Sequence, residues 1–211
     1  MREADEITLL RTVLVFPIAY MILSKFQPAW ITIVLMVVMF VMDALDGYAA
    51  VKEKSRGEVT MLEYAMAALG DMVARHKVSG YKAKKGKGDS YGPRLDIAGD
   101  RVTEYILWIV FVAVNIVPLF VLMLIVVRHS FADALMGARG TSSKMKSRFA
   151  RLVYSSNIGR GGVAVVKVVT FSYLTLVYTS GWNLTVGYAL TAVLAAYILI
   201  RGAAEIYESL Q

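Results

Sequence analysis

Long apolar runs alternate with shorter polar connections along this chain of 211 residues. A run of about 17–25 predominantly apolar residues is long enough to cross roughly 30 Å of hydrocarbon as a helix. The pattern therefore predicts an all-α, polytopic membrane protein. We expect six transmembrane helices, at about 7–23, 29–50, 94–114, 117–137, 158–179 and 182–202.

Basic residues are distributed unevenly among the connections between these spans. The connections at about 52–94 and 139–151 hold most of the lysines and arginines, whereas the alternate connections hold only Lys25. Because basic connections stay on the cytoplasmic side of a membrane, both of these connections and both termini are predicted to be cytoplasmic. We expect a multi-pass protein of the plasma membrane whose functional residues lie near the cytoplasmic face.

The connection at 52–91 has a helical pattern of its own. Apolar residues recur at helical spacing over about 59–78, with Glu58 and Glu63 near the start and basic residues near the end, as the helix dipole prefers. This pattern predicts an inserted amphipathic helix on the cytoplasmic interface. The basic stretch that follows is either a solvated loop attracted to anionic lipid head groups or a lid over the functional site.

Composition agrees with a membrane environment. Hydrophobic residues make up 57% of the chain and charged residues 18%, whereas a soluble domain has about 45–50% and about 25%. The net charge of +7 lies largely in the basic connections, so we expect no nucleic-acid partner. The absence of cysteine excludes disulfides and thiolate metal sites.

Two pairs of aspartates lie in these apolar segments. Asp43 and Asp46 come near the end of the second span, and Asp96 and Asp100 come at the start of the third. An ionised carboxylate inside hydrocarbon costs roughly 2.5–3.5 kcal/mol, so a cation or a water-filled cavity must compensate. Residues three or four positions apart share one face of a helix, and each pair forms a ridge of two carboxylates. Facing ridges would form an all-oxygen site suited to Mg²⁺ or Mn²⁺.

Small residues accompany the aspartates. Gly47, Ala49 and Ala50 directly follow the first pair and leave room for a ligand or a close helix neighbour. Gly92 and Pro93 precede the second pair and are typical of a helix start, because proline's missing N–H costs nothing in the first turn. The third helix is therefore predicted to begin at this point.

In this arrangement the chain resembles the CDP-alcohol phosphatidyltransferases, which carry D-x-x-D-G-x-x-A-R and, after a spacer, G-x-x-x-D-x-x-x-D. The residues at matching positions are Asp43, Asp46, Gly47, Ala50, Gly92, Asp96 and Asp100. Thr8 and Arg11 are similar to the T-x-x-R of phosphatidylglycerophosphate-synthase-like members. The resemblance implies one domain over residues 1–211, with an insertion at about 52–91.

Two features depart from the family pattern. Val51 stands where the family has arginine, although Lys52 follows immediately. The spacer between the two half-motifs is also much longer than the family's usual spacer. The first departure removes an expected basic contact, and the second indicates an inserted interfacial helix.

The resemblance implies an enzyme that transfers a phosphatidyl-type or archaetidyl-type group from a CDP-linked lipid to an alcohol, releasing CMP in phospholipid biosynthesis. It implies two Mg²⁺ or Mn²⁺ ions, and it favours a homodimer. The metal ligands would be Asp43, Asp46, Asp96 and Asp100. The CDP-binding residues would be Asp46, Gly47, Ala50 and Gly92. Asp100 would also act as the general base on the acceptor hydroxyl.

Basic residues near the helix ends indicate the class of the acceptor. A phosphorylated polyol, such as glycerol 3-phosphate or inositol phosphate, would need cations to bind its phosphate. The candidates are Arg11, Arg128, Lys146, Arg160 and Lys167. For each of them, the ordinary excess of cytoplasmic basic residues is the alternative explanation.

Two other classes of protein would share some of these features. A cation transporter or channel would line its pathway with acids at several depths, but the outer halves of the predicted spans hold almost none. A non-catalytic lipid-binding or scaffold protein would keep the basic connections but would not need four aspartates. The transferase explains more of the pattern. Its partners would be a CDP-activated lipid, a small alcohol or polyol phosphate, and the bilayer.

Overall fold

The computed structural model describes residues 3–69, 72–83, 92–139 and 157–209. Over these residues the chain is all-α, with eight helices and no strand, which confirms the predicted fold class. The helices are α1 (Glu3–Leu23), α2 (Ala29–Lys54), α3 (Met61–Leu69), α4 (Met72–Ala83), α5 (Gly92–Ala113), α6 (Leu119–Arg139), α7 (Asn157–Ser180) and α8 (Leu184–Ser209).

Apolar helices dominate the described part of the chain. Within that part, four segments are long and apolar enough to cross a membrane, namely Glu3–Leu23, Ala29–Lys54, Gly162–Ser180 and Leu184–Tyr207. Large apolar side chains on these helices are exposed, among them Leu10, Val13 and Phe16 of α1. Such a surface suits lipid better than water. The chain is therefore a membrane protein, and six spans, with α5 and α6 as the third and fourth, stay a prediction.

The chain divides into two compact units. Unit 1 comprises Met1–Ile18 and Val34–Glu104, and unit 2 comprises Ala19–Ile33 and Tyr105–Gln211. Each unit has a hydrophobic interior of its own. The single domain expected over residues 1–211 stays a prediction.

In unit 1, α3 and α4 lie where a single amphipathic helix was predicted at about 59–78. The same repeat of apolar positions runs through both helices, so the sequence pattern does not separate them. A capping box starts α3, because the Thr60 N–H donates to the Glu63 carboxylate at 2.8 Å and the Glu63 N–H donates to Thr60 Oγ1 at 3.2 Å. The Lys77 ammonium of α4 donates to Glu63 Oε1 and to the Glu58 carbonyl, each at 2.8 Å. These contacts tie the two helices together.

A hydrophobic cluster joins the α3–α4 pair to the end of α2. Its buried members are Val51, Val59, Ala67, Ala74 and Val78. Tyr64 and Tyr81 pack against this cluster. Val51 belongs to α2 and is only 1% exposed. A buried position in contact with α3 and α4 is a physical reason for valine where the family that the chain resembles has arginine, because burying a valine side chain contributes about 1.5 kcal/mol or more.

In unit 2, α8 packs against both α6 and α7. Aromatic side chains form part of the interior: the ring of Phe171 meets Trp108 edge-on at 5.0 Å and lies parallel to Phe111 at 5.9 Å between centroids. The connection from α7 to α8 is short, with Gly181 at a positive φ of 71°. Asn183 then caps α8, since its side-chain oxygen accepts the Thr185 N–H at 2.8 Å.

A buried ion pair crosses from α6 to α8 within unit 2. Arg128 Nη2 lies 2.7 Å from Glu205 Oε2, and both side chains are 8% exposed. Gly202 makes room for this arginine, because a Cβ atom at that position would lie 2.2 Å from Arg128 Nε. The pair neutralises two charges that would be costly to bury separately.

Candidate functional site

One guanidinium group contacts all four predicted aspartates. Arg11 of α1 is 3% exposed, and its Nη1 donates to Asp43 Oδ1 at 2.5 Å and to Asp100 Oδ1 at 2.7 Å. Its Nη2 donates to Asp96 Oδ1 at 2.8 Å, and its Nε lies 3.3 Å from Asp46 Oδ2. All five residues belong to unit 1. Folding thus gathers the aspartates of α2 and α5, hereafter the aspartate cluster, around a buried cation from α1.

The cluster also contains a geometry suited to a metal ion. Carboxylate oxygens of Asp43, Asp46 and Asp96 all lie within 4.8 Å of one another. Such a set of close, hard oxygen ligands fits Mg²⁺ or Mn²⁺, which keep further positions for water and phosphate oxygens. Asp100 joins the cluster through its hydrogen bond with Arg11.

The four aspartates differ in exposure. Asp46 is 6% exposed and is held from two sides, by Arg11 and by Thr8 Oγ1, which donates to its Oδ2 at 2.9 Å. The side chains of Asp43, Asp96 and Asp100 are 42%, 49% and 40% exposed. These two partners compensate the cost of burying the Asp46 carboxylate. The other three remain accessible to a ligand from outside.

Close approach of α1 and α5 allows Arg11 to reach the aspartates of α5. Gly99 lies between Asp96 and Asp100 in sequence, and a Cβ atom there would lie 2.8 Å from Thr8 Cγ2 and 3.0 Å from Thr12 Oγ1. Contacts this short would force the threonine side chains, or the helices that carry them, to shift. Glycine at position 99 therefore allows the close approach of α1 and α5 that brings Arg11 to the aspartates.

The comparison with known proteins bears directly on this arrangement. Residues 1–62 match the family model of the CDP-alcohol phosphatidyltransferases. The matched segment includes Arg11, Asp43, Asp46 and Gly47, so the predicted resemblance is confirmed there, and the phosphatidylglycerophosphate-synthase-like branch stays a prediction. Members of this family are phosphotransferases, and the match agrees with the prediction of an enzyme. No match was found among curated proteins or solved structures.

The residues that the family resemblance assigns to CDP binding lie on α2 and α5. Asp46, Gly47 and Ala50 are on α2, and Gly92 is the first residue of α5, where a helix start was expected. The Gly47 position faces α3: a Cβ atom there would lie 2.6 Å from the Tyr64 hydroxyl oxygen. The CDP-binding roles stay predictions.

The predicted acceptor-binding cations fall in different surroundings. Arg11 belongs to the aspartate cluster, and Arg128 is paired with Glu205 in unit 2. Lys167 is half-buried on α7, and Arg160 lies on the same helix. Lys146 lies outside the described residues. Their roles toward an acceptor stay predictions.

Two contributors to the site, Gly99 and Tyr64, were not predicted from the sequence, and Thr8 was noted there only as part of the T-x-x-R resemblance. Thr8 has a detectable signal, since it stands three residues before Arg11 and shares its helix face. Gly99 and Tyr64 have no comparable signal, because their importance depends on contacts between helices. Arg11 was assigned to a substrate phosphate, and its contacts with the aspartate cluster were not foreseen.

Proposed function

We propose that the protein transfers a phosphatidyl-type or archaetidyl-type group from a CDP-linked lipid to an alcohol acceptor and releases CMP. One observation carries this proposal: the three carboxylates of Asp43, Asp46 and Asp96 converge within 4.8 Å, and Asp43 and Asp46 lie in the segment that matches a phosphotransferase family. A pyrophosphate bridge carries negative charge that must be neutralised for transfer. Convergent carboxylates meet this need by holding divalent cations.

The residues of the cluster would divide the work. Asp43, Asp46 and Asp96, with Asp100 at a second ion, would hold Mg²⁺ or Mn²⁺, and Arg11 would balance the charge of their carboxylates when no metal is bound. When bound, the metal would neutralise the pyrophosphate and stabilise charge on the phosphoryl oxygens. Thr8 would fix the buried carboxylate of Asp46 through its hydrogen bond.

Asp100 is the proposed general base. Its carboxylate is 40% exposed, so an acceptor hydroxyl can reach it. In the reaction, the acceptor oxygen forms a bond to the lipid-bearing phosphorus, the bond from that phosphorus to the CMP oxygen breaks, and the hydroxyl proton passes to Asp100. The hydrogen bond from Arg11 at 2.7 Å would orient this carboxylate.

We further propose a phosphorylated polyol as acceptor, such as glycerol 3-phosphate or inositol phosphate. The basic candidates Arg11, Arg128, Lys146, Arg160 and Lys167 support a negatively charged acceptor, because phosphate is bound by such side chains. The apolar helices place the protein in a membrane. Six spans in the plasma membrane, a cytoplasmic site and a homodimer complete the proposal.

The test is CMP release by purified protein in detergent. The reaction contains a CDP-activated lipid, Mg²⁺ or Mn²⁺, and one acceptor from a panel of glycerol 3-phosphate, inositol phosphate, serine and inositol. We expect release that requires the metal and one phosphorylated acceptor, and that is lost in Asp96→Asn. Asp133→Asn, an acid of α6 outside the aspartate cluster, serves as the matched control.

Other outcomes would separate the alternatives. Release with serine or free inositol would contradict the acceptor class and leave the transfer reaction standing. Folded protein that neither binds nor cleaves the CDP-lipid would refute the transferase. Metal-ion flux into vesicles that contain such protein would then favour the transporter.

A further inference from the structure

An inserted residue reaches the motif that carries two of the aspartates. Gly47 directly follows Asp46, and the nearest atom to a Cβ added at Gly47 is the hydroxyl oxygen of Tyr64, at 2.6 Å, with Tyr64 Cζ at 3.7 Å. Tyr64 lies on α3, within the segment inserted between the two half-motifs. The space beside Gly47 is therefore bounded by a side chain that the insertion supplies.

Several contacts hold Tyr64 in this position. Its half-buried ring packs against the hydrophobic cluster that includes Val51 of α2. The same ring meets Tyr48 of α2 edge-on, with centroids 5.7 Å apart and an interplanar angle of 61°. The capping box at Glu63 and the bond from Lys77 fix the start of α3 next to it. These contacts therefore hold the Tyr64 side chain beside Gly47, and they also hold together the α3–α4 pair to which Tyr64 belongs.

We propose that Tyr64 is a binding residue of the nucleotide site, so that the α3–α4 pair helps to set the affinity for the cytidine nucleotide. This inference rests on the proposed function, in which Asp46, Gly47 and Ala50 contact the CDP group. A phenol suits such a ligand, because its ring can pack against a base and its hydroxyl can donate to a ribose or phosphate oxygen. The insertion is then a component of the site.

The first experiment measures binding of CMP to the purified protein in Mg²⁺ by equilibrium dialysis. Aromatic contacts with a base contribute about 1–3 kcal/mol on substitution by alanine, so Tyr64→Ala should raise the Kd for CMP about 5- to 160-fold. Tyr64→Phe, which keeps the ring, should raise it about 2- to 10-fold. KM for the CDP-lipid should rise with the Kd for CMP, while KM for the acceptor stays unchanged.

Tyr81 provides the matched control. It packs against the same hydrophobic cluster, but its hydroxyl donates to Glu58. Tyr81→Ala and Tyr81→Phe therefore report on disturbance of the α3–α4 pair as a whole. We expect both to bind CMP within about twofold of the wild type. Equal losses in the Tyr64 and Tyr81 variants would overturn the proposal, since they would assign the effect to the packing of the pair.

A second experiment tests the contact between Gly47 and Tyr64, and it keeps the aromatic ring of Tyr64 in every variant. Gly47→Ala places a methyl group against the Tyr64 hydroxyl, and we expect CMP affinity to fall about tenfold or more as the side chain is displaced. Tyr64→Phe removes that oxygen and leaves Cζ at an ordinary contact distance of 3.7 Å. The double variant should bind CMP about as well as Tyr64→Phe alone. No recovery in the double variant would show that the added methyl group hinders the nucleotide directly and not through Tyr64, and would overturn the inference that Tyr64 shapes the site at Gly47.

Failure of the inference can be told apart from failure of the proposed function. Wild-type protein that binds CMP and releases it from a CDP-lipid, with Tyr64 variants equal to the wild type, would refute the role of Tyr64 alone. Folded wild-type protein that does neither would refute the transferase and the nucleotide site together.

Discussion

Replacing Arg11 by methionine would remove the guanidinium that contacts all four aspartates. Removal of one partner from a buried ion pair costs about 3–5 kcal/mol, because the other charge stays buried without compensation. Here Asp43, Asp96 and Asp100 are 42%, 49% and 40% exposed, so solvent screens much of their repulsion. Most of the lost stability should therefore arise at Asp46, whose side chain is 6% exposed. We expect a cost of about 1–3 kcal/mol in metal-free buffer.

The same change should strengthen the response to metal. A positive charge beside a metal site opposes a second cation, and unit charges 4 Å apart interact by about 1 kcal/mol in water and about 4 kcal/mol at an effective dielectric constant of 20. For a cluster that is largely half-exposed, we expect Mg²⁺ to bind Arg11→Met about 5- to 30-fold more tightly than the wild type, or about 1–2 kcal/mol. Magnesium should therefore recover part of the lost stability.

Thermal unfolding in detergent, with EDTA and with saturating Mg²⁺, measures both effects. For a chain of this length, about 1 kcal/mol corresponds to roughly 2–4 °C in Tm. Arg11→Met should unfold about 2–12 °C below the wild type in EDTA, and the gap should narrow in Mg²⁺. Arg128→Met is the matched control, because it removes another buried arginine, the partner of Glu205 in unit 2. It should lower Tm without changing the magnesium response.

The refuting result is specific. If Mg²⁺ raises the Tm of Arg11→Met by no more than it raises the Tm of the wild type, Arg11 does not oppose a cation at the aspartates. An equal magnesium response in the Arg128→Met control and in Arg11→Met would lead to the same conclusion. Either result would leave Arg11 as a structural ion-pair partner only.

Three further predictions concern Asp100, Gly99 and Glu63. Asp100→Asn should abolish CMP release with CMP affinity nearly unchanged, whereas Asp43→Asn should also weaken magnesium-dependent binding; wild-type turnover in Asp100→Asn would refute the base. Gly99→Ala should cost about 1–3 kcal/mol in thermal unfolding, because its Cβ would meet α1 at 2.8 Å; an unchanged Tm would contradict this contact. The hydrogen bond from the Lys77 ammonium lowers the pKa of the Glu63 carboxyl. The stabilisation of the fold by this interaction is therefore present above the ordinary pKa of glutamate and is lost as the pH falls through the lowered pKa. Glu63→Gln should reduce the fall of Tm at acidic pH, and an equal fall of Tm in the variant and the wild type would refute this prediction.

Much of the fold follows from local pattern. Apolar runs long enough to span a bilayer became α1, α2, α7 and α8, because the period and length of such runs report directly on helices in lipid. The inserted segment was less predictable. Its apolar repeat passes through both α3 and α4, so the pattern indicated helix without showing that there are two.

The candidate site divides in the same way. Asp43 with Asp46, and Asp96 with Asp100, could be recognised because each pair has helical spacing and an apolar setting that makes charge costly. The position of Arg11 beside the aspartates could not be predicted, because a spacing within α1 does not indicate which helix α1 will contact. Tyr64 is similar, because only the packing of α3 on α2 brings it to Gly47.

The contacts of Arg11 also bear on the long connection between α2 and α5. Its guanidinium donates to Asp43 on α2 and to Asp96 and Asp100 on α5, so one side chain from α1 sets the register between the two helices. That register depends on contacts among α1, α2 and α5, and the length of the chain between α2 and α5 does not enter into them. The spacer is then free to form helices of its own, provided that they pack on the end of α2. The α3–α4 pair meets this condition through the cluster around Val51.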